Sequence, residues 1–303
     1  MWLKLPLIQK VHIKIQLLER GGFMLNKCSI SGFADEIDKS LDVQIDVLHK
    51  LGQKYIEFRG ADGYTVGKYT IEQAKDTKAR LDEAGIKVSA IGSPVGKIQI
   101  TDDFTPHFED YKRIVEIAKI MDTKYIRMFS FFIPEGEDAD QYKTEVCARL
   151  EKFIEYAKEQ NVVLLHENEK DIYGDVAYRC LNLMKKYYGD HFKCVFDFAN
   201  FVQCKQNTLE AYEILKDYVS YIHVKDAIWE TGEVVVPGTG DGDLKKIFAL
   251  LDKAGYEGFL SLEPHLVNFG ALGSLEKNAA VRKLTDGAAA YAAAHNALID
   301  MLA

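Results

Sequence analysis

The chain predicts a single-domain α/β protein, a closed TIM (β/α)8 barrel. Three observations predict it. Eight short apolar runs alternate with longer amphipathic stretches. Glycines stand where the amphipathic stretches end. The last four apolar runs each end on a carboxylate or an imidazole, which collects reactive groups at one rim. Strands alternating with helices pair in parallel, and eight such units suffice to close a ring.

Residues 1–23 read as an N-terminal extension and 24–303 as the barrel domain. The extension mixes apolar residues with Lys4, Lys10, Lys14 and Arg20, which interrupt any signal-peptide block. Met24 opens MLNKCSISGFADEID, which reads like a natural start. The strand-like runs are 27–32 (KCSISG), 54–59 (KYIEFR), 87–93 (KVSAIGS), 124–131 (KYIRMFSF), 161–168 (NVVLLHEN), 193–199 (KCVFDFA), 219–225 (VSYIHVK) and 257–264 (EGFLSLEP). Helical spacing lies between them, as in Leu41, Ile45, Val47 and Leu48, or Leu150, Phe153, Ile154 and Ala157. Gly52, Gly85 and Gly255 close helices ahead of the next strand, and Asp243 is placed to cap LKKIFALLDKAG. The alanine-rich stretch 275–302 reads as the last outer helix. An open doubly wound sheet would often carry a glycine-rich phosphate turn after its first strand, and GFADEID is not one.

Composition removes several classes of function. Net charge is −8 and no basic stripe exists, so nucleic acid is excluded as a partner. No apolar stretch is long enough to span a membrane. Five cysteines without a CxxC spacing read as reduced thiols of a cytoplasmic protein.

The four rim residues are Glu167, Asp197, His223 and Glu263, ending VVLLH, KCVF, VSYI and FLSL. Their separations of 30, 26 and 40 residues each match one βα unit plus a loop. Barrels of this kind build active sites at the carboxyl ends of their strands. Three carboxylates and an imidazole suit one divalent cation of intermediate hardness.

Around these residues, HENEKDIYGD (166–175), VFDFAN (195–200), IHVKDA (222–227), PGTGDGDL (237–244) and GFLSLEPH (258–265) resemble the sugar phosphate isomerase/epimerase family of the xylose isomerase-like barrels. The resemblance runs from about Ser29 to the last helix. It implies one bound divalent metal, manganese first, with magnesium, cobalt or zinc as alternatives, held by the same four residues. It also implies a small-molecule carbohydrate substrate and allows a homo-oligomer.

A divalent ion chelating a hydroxy-ketone acts as a Lewis acid on the oxyanion that develops when the adjacent C–H is deprotonated. We assign Glu167 and Glu263 a second role as the acid and base that move this proton, which the resemblance supports. Lys225 and His265 stand two residues beyond a ligand, so alternation points them to the same side. Lys225 would bind a substrate hydroxyl or pair with a carboxylate. His166 should be a hydrogen-bonded structural histidine. Glu57 and Arg127 sit inside strand-like runs and should approach each other within the barrel. Phe131, Phe132 and Trp229 either wall the pocket or anchor loops, and loops 132–140 and 229–243 are candidate lids. In the related ketose 3-epimerases a histidine and an arginine that hold the substrate stand where this chain has Asn200 and Trp229, so Asn200 and Trp229 join Lys225 and His265 as candidate substrate-binding residues while free-ketose specificity does not transfer.

The expected activity is therefore metal-dependent isomerisation or epimerisation of a small sugar, ketose or polyol-derived hydroxy-carbonyl compound through an enediolate. The alternative is a lyase that dehydrates an inosose or cleaves an oxidised C-glycoside. A DNA-repair endonuclease would need a three-metal cluster with more histidines in the early strands. A sugar-binding barrel without catalysis would tolerate the loss of a ligand, and all four are present.

Overall fold

The computed structural model describes residues 24–267 and 286–303. All eight expected strands form: β1 Ser29–Gly32, β2 Tyr55–Phe58, β3 Lys87–Val95, β4 Tyr125–Met128, β5 Val163–Glu167, β6 Phe192–Asp197, β7 Val219–Val224 and β8 Phe259–Leu262. Parallel ladders join β1 to β8 and then run through β7, β6, β5, β4 and β3 to β2. β1 and β2 lie side by side without a shared ladder. Polar side chains reach across the interior near this seam. Ser31 Oγ meets Ser89 Oγ at 2.6 Å, and Ser89 Oγ meets the Tyr221 hydroxyl at 2.9 Å.

The outer layer holds α1 Leu41–Leu51, α2 Ile71–Glu83, α3 Phe104–Ile120, α4 Lys143–Gln160, α5 Ala177–Tyr187, α6 Phe198–Gln203, α7 Thr208–Leu215, α8 Leu244–Lys253 and α9 Gly287–Leu302. The apolar face of each helix packs on the barrel wall, and the buried core runs continuously between the two layers. A smaller apolar cluster of Ala90, Val163, Leu165, Val195 and Tyr221 packs separately from that layer. Gly52, Gly85 and Gly255 do close α1, α2 and α8, each with a left-handed backbone near φ 70 that glycine adopts without a Cβ penalty.

Two helix-end expectations change. Asp243 stands at the N-cap of α8 but makes no capping hydrogen bond. Its own backbone is left-handed, at φ 54, rather than the extended geometry that aims a cap side chain at the first-turn amides. Its carboxylate pairs with Lys246 at 2.6 Å instead. The last helix begins at Gly287, not 275, where Asp286 Oδ1 accepts from the amides of Ala288 and Ala289. Residues 275–285 and the 1–23 extension lie outside the described residues. Among the described residues, no helix is long and apolar enough to cross a membrane.

α9 docks through Tyr291, whose ring is fully buried. Gln53 Nε2 donates to the Tyr291 hydroxyl at 2.9 Å. That hydroxyl also lies 2.2 Å from where a β-carbon on Gly32 would stand. Glycine at the end of β1 is therefore the space the tyrosine occupies. Gly32→Ala is expected to destabilise the fold by about 1–3 kcal/mol in urea unfolding, as overpacking does. Adding Tyr291→Phe should restore part of that loss, because the Leu262 carbonyl at 3.0 Å remains in the way.

Candidate metal centre

Glu167 and Asp197 are the last residues of β5 and β6, His223 is the penultimate residue of β7, and Glu263 directly follows β8. All four are at most 3% exposed. One ligand atom from each lies within 4.8 Å of the others. His223 Nδ1 is 2.9 Å from Glu167 Oε1 and 3.4 Å from Glu263 Oε2. Lys225 Nζ is 3.3 Å from both Asp197 Oδ2 and Glu263 Oε2. Parallel neighbours in register explain the convergence: Asp197 stands opposite His223 in the ladder, and Glu167 opposite Val195.

Packing three carboxylates into a dry rim is unfavourable unless positive charge meets them. Burial pushes the Asp197 carboxyl up to about 7, against the pull of Lys225. Burial alone would lower the pKa of His223, but Glu167 and Glu57 outweigh it and hold the imidazole well above its ordinary value. Burial would likewise raise Glu263, yet Lys225 and His265 hold it well below the usual carboxylate range. Glu167 Oε2 and Asp197 Oδ2 are buried and accept no hydrogen bond, although Arg127 Nη1 and Lys225 Nζ lie 3.2 and 3.3 Å away. Two such oxygens beside an imidazole nitrogen and a further carboxylate fit a divalent cation in donor type and number.

The surrounding residues hold this cradle. Asn168 ties β5 to β6: its Nδ2 donates to the Asp197 carbonyl at 3.0 Å and its Oδ1 accepts the Asp197 amide at 2.9 Å. Asn200, at the start of α6, donates to the Asn168 carbonyl at 2.8 Å and to Glu167 Oε1 at 3.3 Å. Asp226 follows Lys225 and accepts the amides of Gly238, Gly240 and Gly242, each at 2.9 Å. A β-carbon on Gly240 would stand 2.5 Å from the Asp226 carboxylate, which explains the glycines of PGTGDGD. The 229–243 loop is thereby wrapped around one buried carboxylate.

The sequence-predicted residues divide. Lys225 lies in the cradle, ion-paired as described. His265 reaches it too, 3.2 Å from Glu263 Oε1, but not by strand alternation. β8 ends at Leu262, and a left-handed backbone at φ 46 turns His265 inward. His166 is a buried structural histidine, Nε2 to Ser130 Oγ at 3.0 Å, and burial lowers it to about 3. Phe131 anchors its loop against Phe104 and Phe153. Phe132 lines a cavity of about 640 Å³ between the loops after β3, β4 and β5. Lys97 and Glu169 pair at 3.1 Å in that wall. Trp229 is 38% exposed, with Lys205 over its ring.

The expected approach of Glu57 and Arg127 holds at longer range, since the Arg127 charge helps keep Glu57 ionised, but no ion pair joins them among the described residues. Both are buried in the barrel, but each takes a different partner. Glu57 faces His223 and Ser261, while Arg127 Nη1 lies 3.2 Å from Glu167 and 3.7 Å from Glu263. The guanidinium makes its ion pairs with the rim carboxylates. Sequence reasoning missed Arg59, which follows β2 and meets Asp35 at 2.8 Å, Glu36 at 3.1 Å and Glu263 at 3.5 Å. Both guanidiniums lie over the Phe33 ring, at 4.4 and 4.9 Å. The signal was a charged residue ending the second run, with two acids just after the first.

A family model described as xylose isomerase-like TIM barrel matches residues 45–286. No curated protein matches the chain in sequence. Among solved structures, the IOLI protein with a bound zinc atom superposes with a TM-score of 0.70 at 15% identity, covering 90% of this chain and 97% of that one. D-psicose 3-epimerase with D-tagatose, from Clostridium cellulolyticum H10, superposes at 0.68 and 15%, covering 89% and 96%. The probable 3-DHS dehydratase AsbF from Bacillus anthracis does so at 0.64 and 17%, covering 78% and 92%. At these identities the likeness carries the fold.

Protons and a cation compete for this cradle, which sets a pH dependence. Mn²⁺ affinity, read by the electron paramagnetic resonance of the free ion, should fall as pH drops from 8 to 6. His223 holds its proton well above the ordinary range, and Asp197 takes one up near 7. The expected slope is up to about tenfold per pH unit for each proton displaced. A flat profile would show that the ion binds elsewhere.

Proposed function

The chain belongs to the xylose isomerase-like TIM barrel family, and from that premise we propose that it is a divalent-metal-dependent isomerase or epimerase of a small sugar, ketose or polyol-derived hydroxy-carbonyl compound. The observation that carries the reading is the placement of Glu167 and Glu263. They come from β5 and from the residue after β8, and both reach His223 Nδ1, at 2.9 and 3.4 Å. Two carboxylates thus face one small volume from different sides.

Glu167, Asp197, His223 and Glu263 would hold the ion, with manganese our first choice. When bound, such an ion supplies Lewis-acid stabilisation of the oxyanion beside the reacting carbon. The remaining work belongs to the chain. Glu263 is held as a carboxylate by Lys225 and His265, so it is the base for the first proton. Glu167 faces it and returns a proton to the opposite face of the same carbon or to the adjacent carbon. Lys225, 2% exposed, orients a substrate hydroxyl beside Asp197. His265 and Arg59 brace Glu263 from its outer side. Burial of the whole group keeps bulk water from quenching the carbanionic intermediate.

A lyase remains the second reading, supported by one feature. Asn200 is turned into the scaffold, donating to the Asn168 carbonyl, and Trp229 sits at the surface. Neither reproduces the substrate grip of the ketose 3-epimerases, and a dehydratase is among the similar folds.

Deuterium exchange tests the proposal. With Mn²⁺ in heavy water, a panel of ketoses, inososes and keto-glycosides should include a compound that gains deuterium next to its carbonyl. Glu263→Gln and Glu167→Gln should each slow that exchange by about 10²-fold or more, as losing a positioned acid or base does. Exchange accompanied by release of water or an aryl group would select the lyase. Exchange with none of the panel would overturn both readings.

A further inference from the structure

We propose that Glu57, deep in the barrel on β2, is the positioning residue of His223: its carboxylate accepts the Nε2 proton and thereby turns Nδ1 toward the cation. The inference rests on the metal-site reading above and adds to it a residue outside the four ligands.

The geometry is specific. His223 Nε2 lies 3.1 Å from Glu57 Oε2 and 3.4 Å from Oε1, while Nδ1 faces Glu167 and Glu263. The two ring nitrogens thus look at opposite carboxylates, one inside the barrel and one at the rim. An imidazole that gives one nitrogen to a cation must carry its proton on the other, and that proton needs an acceptor in a buried site. Glu57 is 1% exposed, and Ser261 Oγ donates to its Oε2 at 2.6 Å. Behind it, the Tyr221 hydroxyl, Ser89 and Ser31 continue a chain of short hydrogen bonds across β7, β3 and β1. Phe33 and Tyr221 meet the imidazole edge-on at 5.3 and 5.8 Å, which restricts ring rotation.

Glu57 is not itself a ligand. It lies on the far nitrogen, and the convergent ligand atoms come from the other four residues. A buried carboxylate with no part in the site would be an unrecovered cost. Here the barrel interior spends one charge to set the tautomer and aim of a ligand from the strand three places away around the ring.

The experiment compares the full chain with Glu57→Met, which removes the acceptor at similar volume, and Glu57→Gln, whose amide oxygen still accepts a hydrogen bond from Nε2–H. Circular dichroism checks folding, and free-Mn²⁺ resonance reads affinity. We expect Glu57→Met to bind Mn²⁺ about 10–100-fold more weakly, with Glu57→Gln recovering part of the loss. A folded Glu57→Met with wild-type affinity would overturn the proposal. Long-range ¹H–¹⁵N spectra of the unmutated, Zn²⁺-loaded protein decide independently of whether any variant folds. They should show His223 protonated at Nε2, and a proton at Nδ1 would equally overturn it. If the wild-type chain binds no Mn²⁺ at all, it is the metal-site reading that fails.

Discussion

Mutual repulsion among buried carboxylates is the constraint on which the rest of this structure depends. Glu36, Glu167, Asp197 and Glu263 are all nearly solvent-free at one rim of the barrel, with buried Glu57 in the interior beneath them. Water cannot screen them there, so the protein must supply the positive charge. Arg59, Arg127 and Lys225 do so, and each touches a residue of the cradle. Even so, burial still pushes Asp197 toward protonation. A divalent cation would relieve that tension.

The same constraint explains features that look unrelated. Two guanidiniums pack on one aromatic ring because buried Phe33 offers a surface attractive to cations beside the rim. The glycines after β7 exist because Asp226 needs amide donors and a side chain on Gly240 or Gly242 would fill the space its carboxylate occupies. Asn168 and Asn200 spend their amides on backbone carbonyls and on Glu167, which fixes the spacing of β5 and β6 at the level of the ligands. Rigid support of this kind is what general acid–base chemistry demands, since a proton moves only across hydrogen-bond distances.

Charge placement also divides the labour. Glu263 receives Lys225, His265 and Arg59 and is held ionised. Asp197 is raised by burial, which Lys225 and His223 only partly offset. Two carboxyl groups a few ångströms apart thus acquire opposite tendencies from their neighbours.

The sequence by itself determined the eight strands, their parallel order and the four rim residues. Each of these rests on local information: a short apolar run, a helix-ending glycine such as Gly52 or Gly85, a polar residue closing a strand. Helix ends beyond such signals were less legible. Asp243 has the composition of a cap, yet its left-handed backbone denies it the geometry. Only the tertiary structure decided the partners of buried charges. Glu57 and Arg127 are separated by 70 residues, and nothing local says that one serves an imidazole and the other a pair of glutamates. Arg59 and His265, 206 residues apart, meet only because the ring closes and brings the ends of β2 and β8 to the same rim. Pairing among buried charges is a competition settled by distance, and distances between strands come into being only with the closed barrel.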